Sequence, residues 1–319
     1  MPVLQSTFKP AWWLRGAHAQ TIWSSFFRLR PRLDIEWQRV ELADGDFIDL
    51  AWSGPQVGKT VLLLHGLEGS IHSAYAKGLM HALQQRGYRT CLMHFRGCST
   101  QPNRLPKWYH SGQSDDPQRI LEFLRDQMGI AVYAAVGFSL GGNVLLKWLG
   151  EQGAAIPLQR AAVVSVPFRL AHAAERMGEG VSRLYQWYLV SSMQKKYSKK
   201  FARIASPLEI DIHTLNTFWQ FDDQVTAPLH GFNGVDDYYA RASSRQFIPQ
   251  IRVPTLILHA RDDPFMYAHT PPLADELPDN VWLELTEHGG HVGFISGVVP
   301  GLANYWGERR VVEWIDNSQ

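Results

Sequence analysis

Gly137-Phe138-Ser139-Leu140-Gly141 sets a serine between two glycines in the pattern G-x-S-x-G, a turn that pushes a serine Oγ out between a strand and a helix. The flanks fit that turn. Residues 131–136 read as a buried strand, and Gly142 to Trp148 can start a helix. A serine there must take a strained backbone, and small residues at 137 and 141 avoid collisions across so sharp a bend. Serine is a weak nucleophile at neutral pH. It needs an imidazole to take its proton and a carboxylate to hold that imidazole in the right tautomer.

The partners must come later in the chain, in the order serine, acid, histidine. Thr255 to His259 reads as a strand running into Ala260-Arg261-Asp262-Asp263-Pro264. Asp263 is favoured as the acid, because it stands three residues beyond Ala260, the small residue that ends the strand. Asp262 is the alternative, its other reading being a turn aspartate or a helix cap ahead of Pro264. After a last strand, Val281 to Leu285, comes His288-Gly289-Gly290-His291-Val292-Gly293-Phe294. His291 follows two glycines that let the backbone carry an imidazole over the serine, whereas His288 reads as a loop histidine. Negative charge developing on a substrate carbonyl oxygen requires backbone N–H donors, from the residue after the serine and from the loop after the third strand. Those are Leu140 and Leu67, the latter in His65-Gly66-Leu67-Glu68-Gly69. His65 shapes that loop in this reading and is not the base.

Short apolar runs alternating with helical patterns predict a mostly parallel sheet covered by helices on both faces. Trp37 to Leu42 and Phe47 to Trp52 flank Ala43-Asp44-Gly45-Asp46 and read as an antiparallel hairpin. Thr60 to Leu64, Arg89 to Phe95, Ala131 to Phe138, Ala161 to Pro167, Thr255 to His259 and Val281 to Leu285 complete an expected eight strands. Helices are expected at Ser73 to Arg86, Asp116 to Gln127, from Asn143 to Gly150 and at Leu302 to Asp316. Between Phe168 and Val253 the alternation stops in favour of Tyr, Trp, Lys and Arg at helical spacing. The expected organisation is therefore an α/β core of residues 1–167 and 254–319 with a helical cap inserted at 168–253.

Composition narrows the function. The 31 basic residues nearly cancel 30 acidic ones for a net charge of +1, which gives no electrostatic case for a nucleic-acid partner. The two cysteines, Cys91 and Cys98, form no zinc or disulfide pattern. The first 27 residues lack the apolar core and cleavage site of a signal peptide, and no run approaches the roughly 20 apolar residues that span a bilayer. A soluble, cytoplasmic protein with no integral membrane association is expected. Aromatic and lysine residues in Tyr185 to Phe201 raise peripheral membrane contact, against which stands the plainer reading of a solvated cap helix.

Beyond the elbow, Gly16-Ala17-His18-Ala19-Gln20-Thr21, Phe95-Arg96-Gly97-Cys98, Tyr109-His110-Ser111-Gly112 and Gly290-His291-Val292-Gly293-Phe294 resemble the YheT, EMB8 and ABHD-type branch (AB hydrolase 4) of the α/β-hydrolase superfamily over nearly the whole chain. The resemblance implies the α/β-hydrolase fold, an esterase or lipase-like activity on acyl substrates, a Ser139, Asp263 and His291 triad, and no metal or organic cofactor. Animal relatives carry an N-terminal membrane anchor. This chain begins almost directly with the Trp12, Trp13 and His18 segment, so that location is not carried over. The leading expectation is a carboxylic ester hydrolase, acting on a small-molecule ester or an acyl thioester such as acyl-CoA through an acyl-Ser139 intermediate. Tyr185, Trp187, Tyr188, Leu189, Phe218 and Trp219 of the cap are candidates for an acyl-chain pocket. An acyltransferase using the same acyl-enzyme, and a non-catalytic binding protein on this fold, are the alternatives.

Overall fold

The computed structural model describes residues 2–317. Its main sheet has nine strands: β1 (Val3–Leu4), β2 (Glu36–Glu41), β3 (Phe47–Ser53), β4 (Thr60–Leu64), β5 (Arg89–Met93), β6 (Val132–Phe138), β7 (Arg160–Val164), β8 (Thr255–Ala260) and β9 (Val281–Thr286), in the order β1-β9-β8-β7-β6-β4-β5-β3-β2. The extra strand is β1, which pairs parallel to β9 through Val3 and Leu283. Two residues at an edge carry no periodicity, so the sequence expectation of eight missed it. The hairpin forms as expected: β2 and β3 are antiparallel, and Gly45 takes φ +83° in the turn. From β4 to β9 every pairing within the sheet's interior is parallel.

Those interior strands are apolar on both faces, with β4, β7 and β8 buried throughout, because helices cover both sides. Helix α1 (Ala17–Ile22) runs on into a wider π-type turn at Trp23–Phe27, and α2 (Ala74–Gln84), α3 (Asp115–Met128) and α4 (Leu140–Gln152) follow. Between α3 and α4, Trp148 of α4 is fully buried and its indole N–H donates to Gln118 of α3 at 2.8 Å.

Between β7 and β8 the described residues form no strand. They make α5 (Leu170–Met177), α6 (Ser182–Phe201), a helical run α7 at 218–229, α8 (Gly234–Ala242) and a 3-10 turn at Ser244–Gln250. A small pair, β10 (Ile295–Ser296) with β11 (Asn304–Tyr305), precedes the closing helix α9 (Trp306–Asp316). That helix starts four residues later than expected from Leu302, which is exposed and lies before β11.

Sheet order places the chemistry. The sequence reverses direction around β4, whose neighbours are β5 on one side and β6 on the other, and loops diverging from such a point leave a crevice at the strands' carboxyl ends. Leu64, the last residue of β4, pairs with Gly137. The loop after β4 therefore starts beside Ser139.

Candidate active site

Ser139 joins β6 to α4 with φ +50° and ψ −119°, a conformation that costs a non-glycine residue about 1–3 kcal/mol. Neighbouring bonds hold it there. Its N–H donates to Val164 O at 2.9 Å, and its carbonyl accepts from Asn143 at 3.0 Å. The turn is tight enough to require glycine: a Cβ at Gly137 would lie 2.5 Å from Gly141 O, and one at Gly141 would collide with the carbonyls of Leu64 and His65.

The serine Oγ lies 3.0 Å from His291 Nε2, and His291 Nδ1 lies 2.8 Å from Asp263 Oδ2. Both partners are buried, with the Asp263 side chain 1% and that of His291 9% exposed. Register explains the meeting, since Ala260 at the end of β8 pairs with Thr286 at the end of β9 and both loops leave the same sheet edge. Asp263 Oδ1 accepts from the Phe265 N–H at 2.9 Å, which folds the Phe265 ring back onto the imidazole at 4.0 Å between centroids and 12° between planes. The adjacent aspartate does something else. Asp262 accepts from the Gly290 N–H at 2.9 Å and sits 3.2 Å from Nδ1 of the exposed His288, so it braces the loop that carries His291. Burial holds the Asp262 carboxyl above the ordinary aspartate range.

Leu67 and Leu140 flank the serine in the cavity wall, and their backbone N–H groups have no acceptor among the described residues. The loop bearing Leu67 is pinned on both sides of it. The Gly66 N–H donates to the Tyr75 hydroxyl at 2.8 Å, and the Glu68 N–H to the Tyr109 hydroxyl at 2.9 Å. Glu68 itself takes φ +57°. His65 Nδ1 donates to Gly66 O at 2.7 Å, while its Nε2 accepts from the Phe95 N–H at 3.1 Å. Complete burial pushes this imidazole down to about 3, so it stays neutral and braces the loop.

Two of the segments picked out in the sequence acquire physical roles here. Arg96, 1% exposed in its side chain, forks onto Asp116 at 2.7 and 2.8 Å and reaches Asp44 at 2.8 Å, tying the loop after β5 to α3 and the hairpin turn. Tyr109 donates to Glu68 Oε1 at 3.0 Å, and the other Glu68 oxygen accepts from Ser192 of α6 at 2.8 Å. The loop bearing Leu67 and helix α6 are thus bolted together through one carboxylate.

A sequence profile described as the alpha/beta hydrolase fold matches residues 59–298. The Escherichia coli (strain K12) protein YheT is 42% identical, with 97% of this chain and 92% of that protein covered. The chain belongs to the α/β-hydrolase family. A phospholipase of Bos taurus, ABHD3, is 29% identical over 95% of this chain and 77% of its own length. Among solved structures, an esterase of Pyrococcus furiosus superposes with a TM-score of 0.57 at 16% identity, covering 98% of this chain and 96% of that one, a likeness of fold.

In this α/β-hydrolase chain a cavity of about 220 Å³ opens above Ser139 between core and inserted helices. Leu170, Ala174, Met177, Leu189, Met193 and Met266 help make its lining chiefly apolar, although Glu68, Lys196, Lys199 and Lys200 also reach it. The aromatic residues expected there mostly lie elsewhere. Leu189 and Phe218 do line the cavity, whereas Trp187 and Tyr188 are 67% and 58% exposed and Trp219 is 43% exposed. Helical phase decides this, because α6 turns its Met193 and Leu189 stripe inward and its Leu184, Trp187 and Tyr188 stripe to solvent. Tyr185 packs on Phe265 at 5.1 Å between rings.

Sequence reasoning missed Phe265, Thr21 and Glu68. Thr21 and Glu68 had a signal only in their places within the segments Gly16 to Thr21 and His65 to Gly69, and Phe265 had none. No helix among the described residues is long and apolar enough to cross a membrane.

Proposed function

We propose that the chain hydrolyses carboxylic esters of apolar acids through an acyl-Ser139 intermediate. The observation that carries this reading is the unbroken line of hydrogen bonds from Ser139 Oγ through His291 to Asp263, opening onto an apolar cavity. Ser139 Oγ attacks the substrate carbonyl carbon while its proton passes to His291 Nε2. The carbonyl oxygen takes the negative charge and accepts from the free N–H groups of Leu67 and Leu140. The carbon–oxygen bond to the leaving alcohol then breaks, with the His291 proton going to that oxygen. Water attacks the acyl-serine with His291 again as base, and the acid leaves.

The cavity lining supports a hydrocarbon acyl group, and the bovine relative is named as a phospholipase. Acyl thioesters such as acyl-CoA present the same acyl half, so the thioester is part of the proposal. Cys91 and Cys98 are both buried free thiols, which supports placing the enzyme in a reducing compartment, the cytoplasm.

A panel of p-nitrophenyl esters and acyl-CoA thioesters with short, medium and long chains tests the substrate class. Turnover is expected to peak at a chain that fills the cavity and to fall for longer ones. A flat profile across chain length would show that the apolar wall does not hold the acyl group.

A further inference from the structure

The segment Gly16 to Thr21 lies far from Ser139 in sequence and has no part in the reaction described above. It is nevertheless in contact with the loop that carries the base. The buried N–H of His291 donates to Thr21 Oγ1 at 2.9 Å, and the same hydroxyl donates to Ala17 O at 2.9 Å, which fixes its lone pair toward the histidine. Gln20, with no exposed surface, accepts from the Ile295 N–H at 2.7 Å and donates to Ile295 O at 3.0 Å and to Leu14 O at 2.7 Å. Consecutive side chains of α1 thus hold the base loop at His291 and at its end.

The loop needs holding. Val292 and Phe294 have φ of +55° and +45°, a region that side-chain-bearing residues leave unless their surroundings over-determine it. Two of its glycines lie close against α1, and Gly293 is crowded by Gly289 O of the loop as well. A Cβ at Gly290 would collide with Ala17 O and lie 2.7 Å from Thr21 Oγ1, and one at Gly293 would lie 2.9 Å from Gln20. On the outer side of α1, His18 Nδ1 is 3.1 Å from the Tyr185 hydroxyl, Tyr185 packs on Phe265, and Phe265 stacks on the His291 ring. The imidazole is therefore approached from α1 by two routes, through its own backbone and through α6.

We propose that Gly16 to Thr21 is a positioning clamp for the base, with Thr21 and Gln20 holding the backbone of the His291 loop and His18 fastening α6 above it. This rests on the reading of His291 as the base. Thr21 and Gln20 are positioning residues, since they act through the backbone of the His291 loop and touch no reacting atom. Removing the Thr21 hydroxyl leaves the His291 N–H buried without an acceptor and frees a strained loop to relax. A displacement of about 1 Å at a reacting group can cost on the order of 100-fold in rate.

The test compares wild type, Thr21→Val and Thr21→Ser in the full chain, by steady-state hydrolysis of a p-nitrophenyl ester and by the rate of fluorophosphonate labelling. Valine keeps the shape and loses the hydroxyl. Thr21→Val is expected to lower kcat by about 10- to 100-fold with KM within about twofold, and to slow labelling in proportion, while Thr21→Ser restores kcat to within about threefold. Wild-type kcat in Thr21→Val, a loss confined to KM, or equal impairment in Thr21→Ser would overturn the clamp. Should Thr21→Val fail to fold, His18→Ala decides: a kcat at least about threefold lower supports the clamp, and an unchanged kcat overturns it. Turnover surviving in Ser139→Ala would instead defeat the reading of the site itself. A dead Ser139→Ala beside an unimpaired Thr21→Val would defeat the clamp alone.

Discussion

Ser139→Ala is expected to reduce turnover of a p-nitrophenyl ester by about 10⁶-fold while the melting temperature stays close to that of the wild type. The loss follows from position. Ser139 Oγ is the atom at which the His291 hydrogen bond and the cavity meet. The fold has little stake in that oxygen, because the strained turn is held by backbone bonds to Val164 and Asn143 and by the close approach of Gly137 to Gly141. Residual activity of about 10³ to 10⁴ over the uncatalysed rate is compatible with donors and binding alone. Activity near that of the wild type would mean that another group attacks the ester.

Asp263→Asn and Asp262→Asn are expected to part by three orders of magnitude, with about 10⁴-fold lost in the first and less than about tenfold in the second. An amide N–H₂ turned toward His291 Nδ1 makes that nitrogen an acceptor and leaves the proton on Nε2, where it blocks transfer from the serine. At position 262 the surviving amide oxygen can still accept from the Gly290 N–H, and only the contact to the exposed His288 is altered. A greater loss in Asp262→Asn would reverse the two assignments. Circular dichroism of both variants separates a lost tautomer from a lost fold.

The parts of this molecule legible in its sequence are those set by local rules. The elbow announces itself through glycines that a sharp turn demands, and the parallel strands through apolar runs buried on both faces. Hence β4, β6, β7, β8 and β9 were all anticipated, as were Ser139, Asp263 and His291 as neighbours at one sheet edge. Contacts made across long separations left no such mark. Thr21 meets His291 across 270 residues, and Glu68 meets Ser192 across 124. Residue type and spacing say nothing about those meetings.

The inserted helices show a different limit. Their aromatic residues identify helical segments, and α5 to α8 do occupy the expected stretch. Which face turns inward depends on the rotation of each helix about its axis, fixed by packing against the core. Trp187 and Tyr188 accordingly face solvent although their types suggested a pocket. Strand β1, of two residues, lies below the length at which alternation can be read at all.

The covalent step is the centre of the account, and mapping a fluorophosphonate adduct by peptide mass reaches it most directly. Wild-type protein is predicted to take up one equivalent on the peptide containing Ser139, with no adduct in Ser139→Ala and markedly slowed labelling in His291→Ala. Protein that stays unlabelled while folded, or an adduct that maps to a different serine, would contradict it.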